Sequence, residues 1–431
     1  MNKYVSITIG LLLIVSLGLL GLAGANKAEA ATTLEFWVFP FVDQPERALA
    51  PLLNEFKQKT GIQVNISVIS YDAGLERLQT AIASGRGPDI TYLTDGRFVP
   101  LIKLGNALEP LDPWIKQDFK ARFVDQNLLE QYKYDGHYYV IPFGFVTYLW
   151  AINTDRFKEA GIDPALVKRM EDPKGKWTWD DLEAILKKLT RDSNGDGKID
   201  QWGYAYPGGS GWLHSYPLWL WNAGGEVFTP DGKPAIGSEA SVRALSFLLK
   251  LKKEGVMPPG VESMGAPDAI DAFTTGKTGI INNVWPANGL FVWPKQYPNL
   301  NYELVYPPVG PTGRRTTYFG GALLGVLAQS KKKDAAWRLV DFLLSENVQS
   351  WLSGTGFFPV TGKLSPELKA NPNVQKYYNV LPYAIPEPRD PNTGIVKAIM
   401  NAEVQAVLTG QKTPKQAAKD MQDQAMQRIS F

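Results

Sequence analysis

Cysteine is absent from the 431 residues, which excludes disulfides, thiolate nucleophiles, Cys-based zinc sites and lipid attachment through a thiol. Histidine occurs only at His137 and His214, so a His-rich metal centre is unsupported, and a Ser-His-Asp triad would have to use one of these two. Charge of one sign is also lacking. The 45 Lys and Arg against 43 Asp and Glu leave a net +2 with no basic block, which argues against nucleic acid as the main partner, since phosphate binding needs clustered cations. Neither a nucleophile elbow, nor H-E-x-x-H, nor a phosphate loop is found. After Ala31 no apolar run is long enough to span a bilayer.

Aromatic residues are plentiful: 13 Trp, 18 Tyr and 19 Phe, with Trp beyond what packing usually requires. The one long apolar run opens the chain. Lys3 precedes the uncharged stretch Val5–Leu22, and Ala28-Glu29-Ala30 fits a small-x-small cleavage site. We read residues 1–30 as an export signal, leaving a soluble periplasmic or extracellular protein that is not a lipoprotein. An uncleaved N-terminal anchor is the alternative, because the run is longer than a usual signal core.

The remaining length suffices for two α/β domains with substantial cores. Thr33–Phe39 reads as a first strand, and Asp43-Gln-Pro-Glu46 has the form of a capping box opening a helix that stops at Gly61. Ile62, Val64, Ile66 and Val68 alternate as a strand, Leu75–Ala83 is helical, and Ile90–Leu93 is a strand. This β-α-β-α-β rhythm implies parallel strands, with ligand beyond their carboxyl ends at Trp37–Phe39 and Thr94–Arg97. The stretch Tyr138–Asn153 is the most aromatic and β-branched in the chain, interrupted by Pro142 and Gly144. It reads either as a strand that leaves one lobe, opens at Phe143–Thr147 and enters a second lobe at Tyr148, or as a plain buried strand with an irregular start. Further on, Thr178 is expected to cap a helix carrying Leu182, Ile185, Leu186 and Leu189 on one face. Tyr318–Leu327 reads as a return strand, and Thr413-Pro-Lys-Gln416 as the cap of the last helix.

Two constellations carry chemistry. Asp192, Asn194, Asp196 and Asp200, with the Lys198 carbonyl, match the first nine positions of a calcium loop around Gly197, although the closing Glu is replaced by Gly203. The loop therefore holds a structural Ca2+ or is an Asx-rich surface turn. Trp37, Phe39, Phe145, Tyr148, Trp212, Trp219, Trp285 and Phe319 fall near segment ends. Flat rings suit the apolar face of a sugar, and Asp95, Arg97, Asn222, Arg389 and Asp390 could bond its hydroxyl belt. Gly320 and Gly321 either bring backbone N–H groups to a ligand or make a bulge. A secreted glycosidase would need a carboxylate pair about 5–9 Å apart, such as Asp95 with Asp390 or Glu387.

Phe56-Lys-Gln-Lys-Thr-Gly-Ile-Gln-Val64, Gly85-Arg-Gly-Pro-Asp-Ile90, Tyr139-Val-Ile-Pro-Phe143 running into Ala151-Ile-Asn153, Phe273-Thr-Thr-Gly-Lys-Thr-Gly279 leading to Trp285, and Gly410…Thr413-Pro-Lys-Gln-Ala-Ala418 follow in order. As an ordered set they resemble the extracellular solute-binding proteins of the maltose-binding type, receptor subunits of ATP-driven sugar importers. The resemblance implies an α/β fold of two lobes, the class II periplasmic-binding-protein type, each lobe a mainly parallel sheet flanked by helices. Residues 31–146 with 320–357 would form one lobe and 147–319 with 358–431 the other. It further implies that Trp285 stacks on sugar, that Asp95 or Arg97 bonds its hydroxyls, and that a monomer closes by hinge bending to meet a membrane permease. The ligand set is then Trp37, Phe39, Asp95, Arg97, Phe145, Thr147, Tyr148, Trp212, Trp219, Trp285, Phe319, Gly320, Gly321 and Arg389. No cofactor is required and no catalysis is implied. Val146 replaces the family's acid at the crossover, and no aromatic pair is evident near Arg389; both weigh against maltodextrin itself but not against another oligosaccharide. The competing classes are a secreted glycoside hydrolase and a receptor for a peptide or polyamine.

Overall fold

The computed structural model describes residues 32–71, 73–209 and 215–429; the expected export segment, Trp212 and His214 lie outside them. In chain order the strands are β1 (Thr33–Val38), β2 (Gln63–Val68), β3 (Ile90–Leu93), β4 (Lys133–Tyr134), β5 (His137–Tyr138), β6 (Ile141–Thr147), β7 (Leu149–Asn153), β8 (Trp202–Tyr204), β9 (Thr278–Val284), β10 (Tyr302–Val305), β11 (Thr317–Val326), β12 (Phe358–Pro359) and β13 (Ala384–Pro386). They form two main sheets, ordered β12-β6-β11-β3-β1-β2, with β13 on β11, and β10-β7-β9-β8.

The first sheet begins as the sequence pattern dictates. β1 alternates, burying Leu34, Phe36 and Val38, and pairs in parallel with β2 and β3. The helix Pro45–Thr60 buries Leu49, Leu53 and Phe56, one face at helical spacing, and stops at Gly61, whose φ of 74° only glycine adopts without strain. Its start differs from expectation. Gln44 occupies the N-cap in a left-handed conformation with no side-chain cap, so Asp43 and Glu46 form no capping box and Pro45 alone pre-sets the first turn. Thr178 does cap the helix Trp179–Leu189, in a reciprocal box with Asp181, and Leu182, Ile185, Leu186 and Leu189 are its buried face.

Tyr138–Asn153 divides at a single residue. β6 belongs to the first sheet, β7 to the second, and Tyr148 stands between them. Contrary to the expected opening at Phe143–Thr147, every residue of β6 is buried and the strand is paired on both sides. Pro142 and Gly144 instead mark a bulge: Leu323 pairs with Pro142 and Ala322 with Gly144, leaving Phe143 as the extra residue. Gly144 also admits the helix Glu346–Ser353, since a Cβ there would stand 2.7 Å from Leu352.

The chain crosses back between β10 and β11, and the returning strands run opposite to their neighbours. β11 is antiparallel to β3 and β6, and β7 is antiparallel to β9 and β10, so the second sheet is mixed rather than mainly parallel. The expected partition also shifts. β6 extends through Thr147, β11 begins at Thr317, and β12 and β13 join the first sheet, although both lie in the part expected to form the second lobe. The final helices Thr393–Leu408 and Pro414–Arg428 do return to the second half, packing on Glu239–Lys253. Backbone pairing of two short segments, which carries little sequence signal, decides this sharing.

Candidate ligand cleft

The carboxyl ends of β1, β2 and β3 lie side by side, so the residues after them share one rim. Phe39, after β1, stacks on Tyr71, after β2, with centroids 5.3 Å apart and planes at 20°. The Arg97 guanidinium, after β3, lies 4.8 Å from the Phe39 ring centre and 5.2 Å from that of Tyr71. It donates to Thr94 Oγ1 at 2.5 Å and to the Tyr71 carbonyl at 3.1 Å, so it is held flat against the rings.

Behind this rim β13 adds in parallel to the first residues of β11 and brings Glu387 and Arg389 to the loop after β3. Asp95 has no exposed surface. Its carboxylate accepts from the Tyr132 hydroxyl at 2.9 Å, from the Gly321 N–H, and from Arg389 at 3.3 Å. Burial pushes the Asp95 carboxyl above its ordinary value, against the opposing pull of Arg389. A Cβ on Gly321 would stand 2.0 Å from the Tyr132 hydroxyl, which explains the glycine. Glu387 accepts from the Gly96 N–H at 3.1 Å; burial raises its carboxyl too, with Arg97 the strongest opposing influence.

The facing wall is the carboxyl end of β9 with the segment after β8. Asn283 adopts φ 62°, a conformation uncommon for a side-chain-bearing residue. Trp285 is partly exposed and meets Phe357 edge-on at 5.8 Å; Phe357 meets Phe41 at 6.1 Å, and Phe41 stacks on Tyr92 at 4.7 Å. This line of rings joins the two halves. Beside it, Trp150, Trp219, Asn222, Asn282, Thr316 and Thr317 are among the residues around a small cavity against the two crossings. Among the enclosed groups on this wall without a hydrogen-bond partner are Asn282 Nδ2, Trp285 Nε1 and the Tyr206 hydroxyl. Such groups are costly unless something bonds them.

The structure gathers only part of the expected ligand set at exposed positions. Arg97, Trp285 and Gly320 lie on the rim, with Phe39 and Tyr148 buried just beneath. Trp37 does not join them: alternation along β1 turns it to the opposite face, where Arg77 covers its ring at 5.2 Å. Phe145 and Phe319 stack on each other at 5.8 Å inside the first half. Thr147 donates to the Tyr377 carbonyl at 2.7 Å, a buried strap across the crossing. Trp219 packs among Trp150, Trp179, Tyr204 and Phe247, with only an edge on the cavity. Asp95 and Gly321 are buried in the wall, and the partly exposed Arg389 is tied to Asp95 there. Asn222 is fully bonded, to Trp179 and to the Pro308 and Arg314 carbonyls, and Asp390 accepts from the Asn392 N–H. Sequence reasoning missed Tyr71, Tyr206 and Asn282. The last two lie just past or at a strand's carboxyl end, a signal that was available.

The loop Asp192–Asp200 lies at the other edge of the second sheet, before β8. Asp192 accepts from the Gly195 and Gly197 N–H groups, Asn194 from Asp196 N–H, Asp196 from Lys198 N–H, and Asp200 from Ser193. Its side-chain oxygens thus serve its own backbone, and among the described residues no group of three or more His, Asp or Glu comes together to hold a metal.

Residues 43–350 match the family of bacterial extracellular solute-binding proteins. The chain belongs to that family. An ABC substrate-binding protein of Listeria monocytogenes, solved with cycloalternan, is similar in fold with a TM-score of 0.77 and 26% identity, over 93% of this chain and 99% of that one. A maltose-bound protein of T. maritima gives 0.76 and 25%, over 93% and 100%. In sequence, the sn-glycerol-3-phosphate-binding periplasmic protein of Escherichia coli strain K12 is 25% identical over 92% of both chains. This solute-binding protein therefore has the two-lobe fold of the maltose-binding type, and its family is one of receptors rather than enzymes. Among the described residues no helix is long and apolar enough to cross a membrane.

Proposed function

We propose that this solute-binding protein is the exported receptor of an ABC sugar importer, taking an oligosaccharide between its two halves and closing on it for delivery to the permease. The observation that carries this reading is the pair of rims: Tyr71 and Arg97, backed by the buried Phe39, on one half, and Trp285, with Asn282 enclosed beside it, on the other. Rings to stack on and amide or guanidinium groups to bond hydroxyls are what a sugar needs. The relatives' bound cycloalternan and maltose support it. Closure follows from ligand contacts made on both rims only when they approach. Catalysis by Asp95 and Glu387 is disfavoured because Asp95 has no surface on which a glycosidic oxygen could rest. The chain acts as a monomer without a cofactor. A thermal-shift screen over mono- and oligosaccharides tests the reading, since binding to the folded state alone raises its stability. At least one sugar is expected to raise Tm and to reduce the radius of gyration in solution scattering; no response across the panel refutes the proposal.

A further inference from the structure

We infer that the cleft selects uncharged sugars and polyols over anionic ones, and that Glu387 is the residue that sets this selection. The inference rests on the sugar-receptor reading above and deepens it. One relative is named for a phosphate ester of glycerol, so anionic ligands occur among the similar proteins. An anion at this rim would be drawn to Arg97, the guanidinium spread over Phe39 and Tyr71. Glu387 already occupies the space beside it. Its carboxylate is bonded to the Gly96 N–H at 3.1 Å, and a Cβ on Gly96 would stand 2.5 Å from its carboxyl carbon, so the acid lies directly on the loop that carries Arg97.

The cations acting on Glu387 are Arg97 and Lys397, and Asp95 is the other acid. Asp95 is in turn bonded to Arg389, whose guanidinium lies 4.3 Å from the Tyr132 ring centre and also donates to the Gln131 carbonyl. Arg389 is therefore paired with a carboxylate within the protein, and the charge of Glu387, bonded to the neighbouring loop residue Gly96, acts on Arg97. A phosphate or carboxylate approaching Arg97 would have to sit against Glu387, and like charges at such range repel. The unpartnered groups on the facing wall are neutral too: Asn282 Nδ2, Trp285 Nε1 and the Tyr206 hydroxyl are enclosed without a hydrogen-bond partner, and would donate to hydroxyl or ring oxygens once a ligand uncovers them. Without the Glu387 charge, the positive charge of Arg97 at the rim would be less opposed, which is the electrostatic character of an anion site.

Calorimetry and thermal shift at pH 8 on the mature protein would compare neutral ligands with charged counterparts: glucose with glucose 6-phosphate, galactose with galacturonate, mannitol with mannitol 1-phosphate, maltotriose, and sn-glycerol 3-phosphate. Wild type is expected to bind a neutral member at least 100-fold tighter than its anionic counterpart. Glu387→Gln, which keeps the side chain's shape, is expected to narrow that ratio at least tenfold; Gly96→Ala, which displaces the carboxylate without removing it, should narrow it less. Anionic members binding wild type as tightly as neutral ones would overturn the inference and leave the sugar reading standing. An unchanged ratio in a folded Glu387→Gln protein would overturn the role of Glu387. No response to any member would overturn the sugar reading and this inference together.

Discussion

Replacing Asp95 by Asn isolates the charge at the centre of the first rim. The side chain is fully buried and accepts from three donors, the Tyr132 hydroxyl, the Gly321 N–H and Arg389. Asn keeps the volume, so no cavity forms, but its NH2 cannot accept and Arg389 loses its counter-charge. Breaking one side of a buried ion pair costs about 3–5 kcal/mol. The lower end applies here, because Arg389 keeps about a fifth of its side-chain surface in solvent, at 22% exposure. A loss of about 3 kcal/mol, with a urea dependence of about 3 kcal/mol per molar, lowers the unfolding midpoint by about 1 M. Urea titration followed by tryptophan fluorescence measures it. The Asp95→Asn, Arg389→Met double variant is expected to recover part of the loss, since the uncompensated cation is gone. A single-variant loss below about 1 kcal/mol would refute the reasoning that this carboxylate holds the wall together.

Three further outcomes follow from particular contacts. Glu183 lies between Lys187 and Lys250, at 2.6 Å and 2.5 Å, and these bonds lower its carboxyl to about 2. A folded value below the unfolded one stabilises the protein above the unfolded pKa, and that contribution is lost as pH falls toward 2. Glu183→Gln is therefore expected to lower Tm at pH 6 but not at pH 2, and a gap that persists at pH 2 would contradict it. Trp285→Ala removes a partly exposed ring whose indole N–H is unbonded, so sugar affinity should fall at least tenfold, on the scale of a lost aromatic anchor of about 2 kcal/mol, while unliganded Tm changes little. Equal affinity would displace Trp285 from the site. Chelation of divalent ions is expected to leave sugar affinity unchanged, because Asp192–Asp200 sits at the sheet edge away from the rims; calcium-dependent affinity would be evidence for an ion at that loop acting at a distance.

Element identities were legible where a local pattern suffices. The period-2 burial of β1, the face of Trp179–Leu189 and the Thr178 cap need only nearest neighbours along the chain. Trp37 was misread although the same alternation that buries Phe36 and Val38 already sends it to the other face. Phe145 and Phe319 could not have been placed, because their stacking depends on the pairing of strands more than 170 residues apart. The cap at Asp43 failed for a local reason, the left-handed turn at Gln44.

From the sequence alone came the α/β rhythm, the change of lobe near Tyr148 and a chemistry weighted toward rings and neutral donors. Which rings reach the rim, and which carboxylates meet which guanidiniums, only the tertiary structure decided. β13 sets Glu387 against Gly96 and Arg389 against Asp95, joining residues nearly 300 positions apart. Periodicity records how a side chain relates to its own strand or helix; burial of a charge and the identity of its partner depend on which segments pack together, and that is a property of the folded chain.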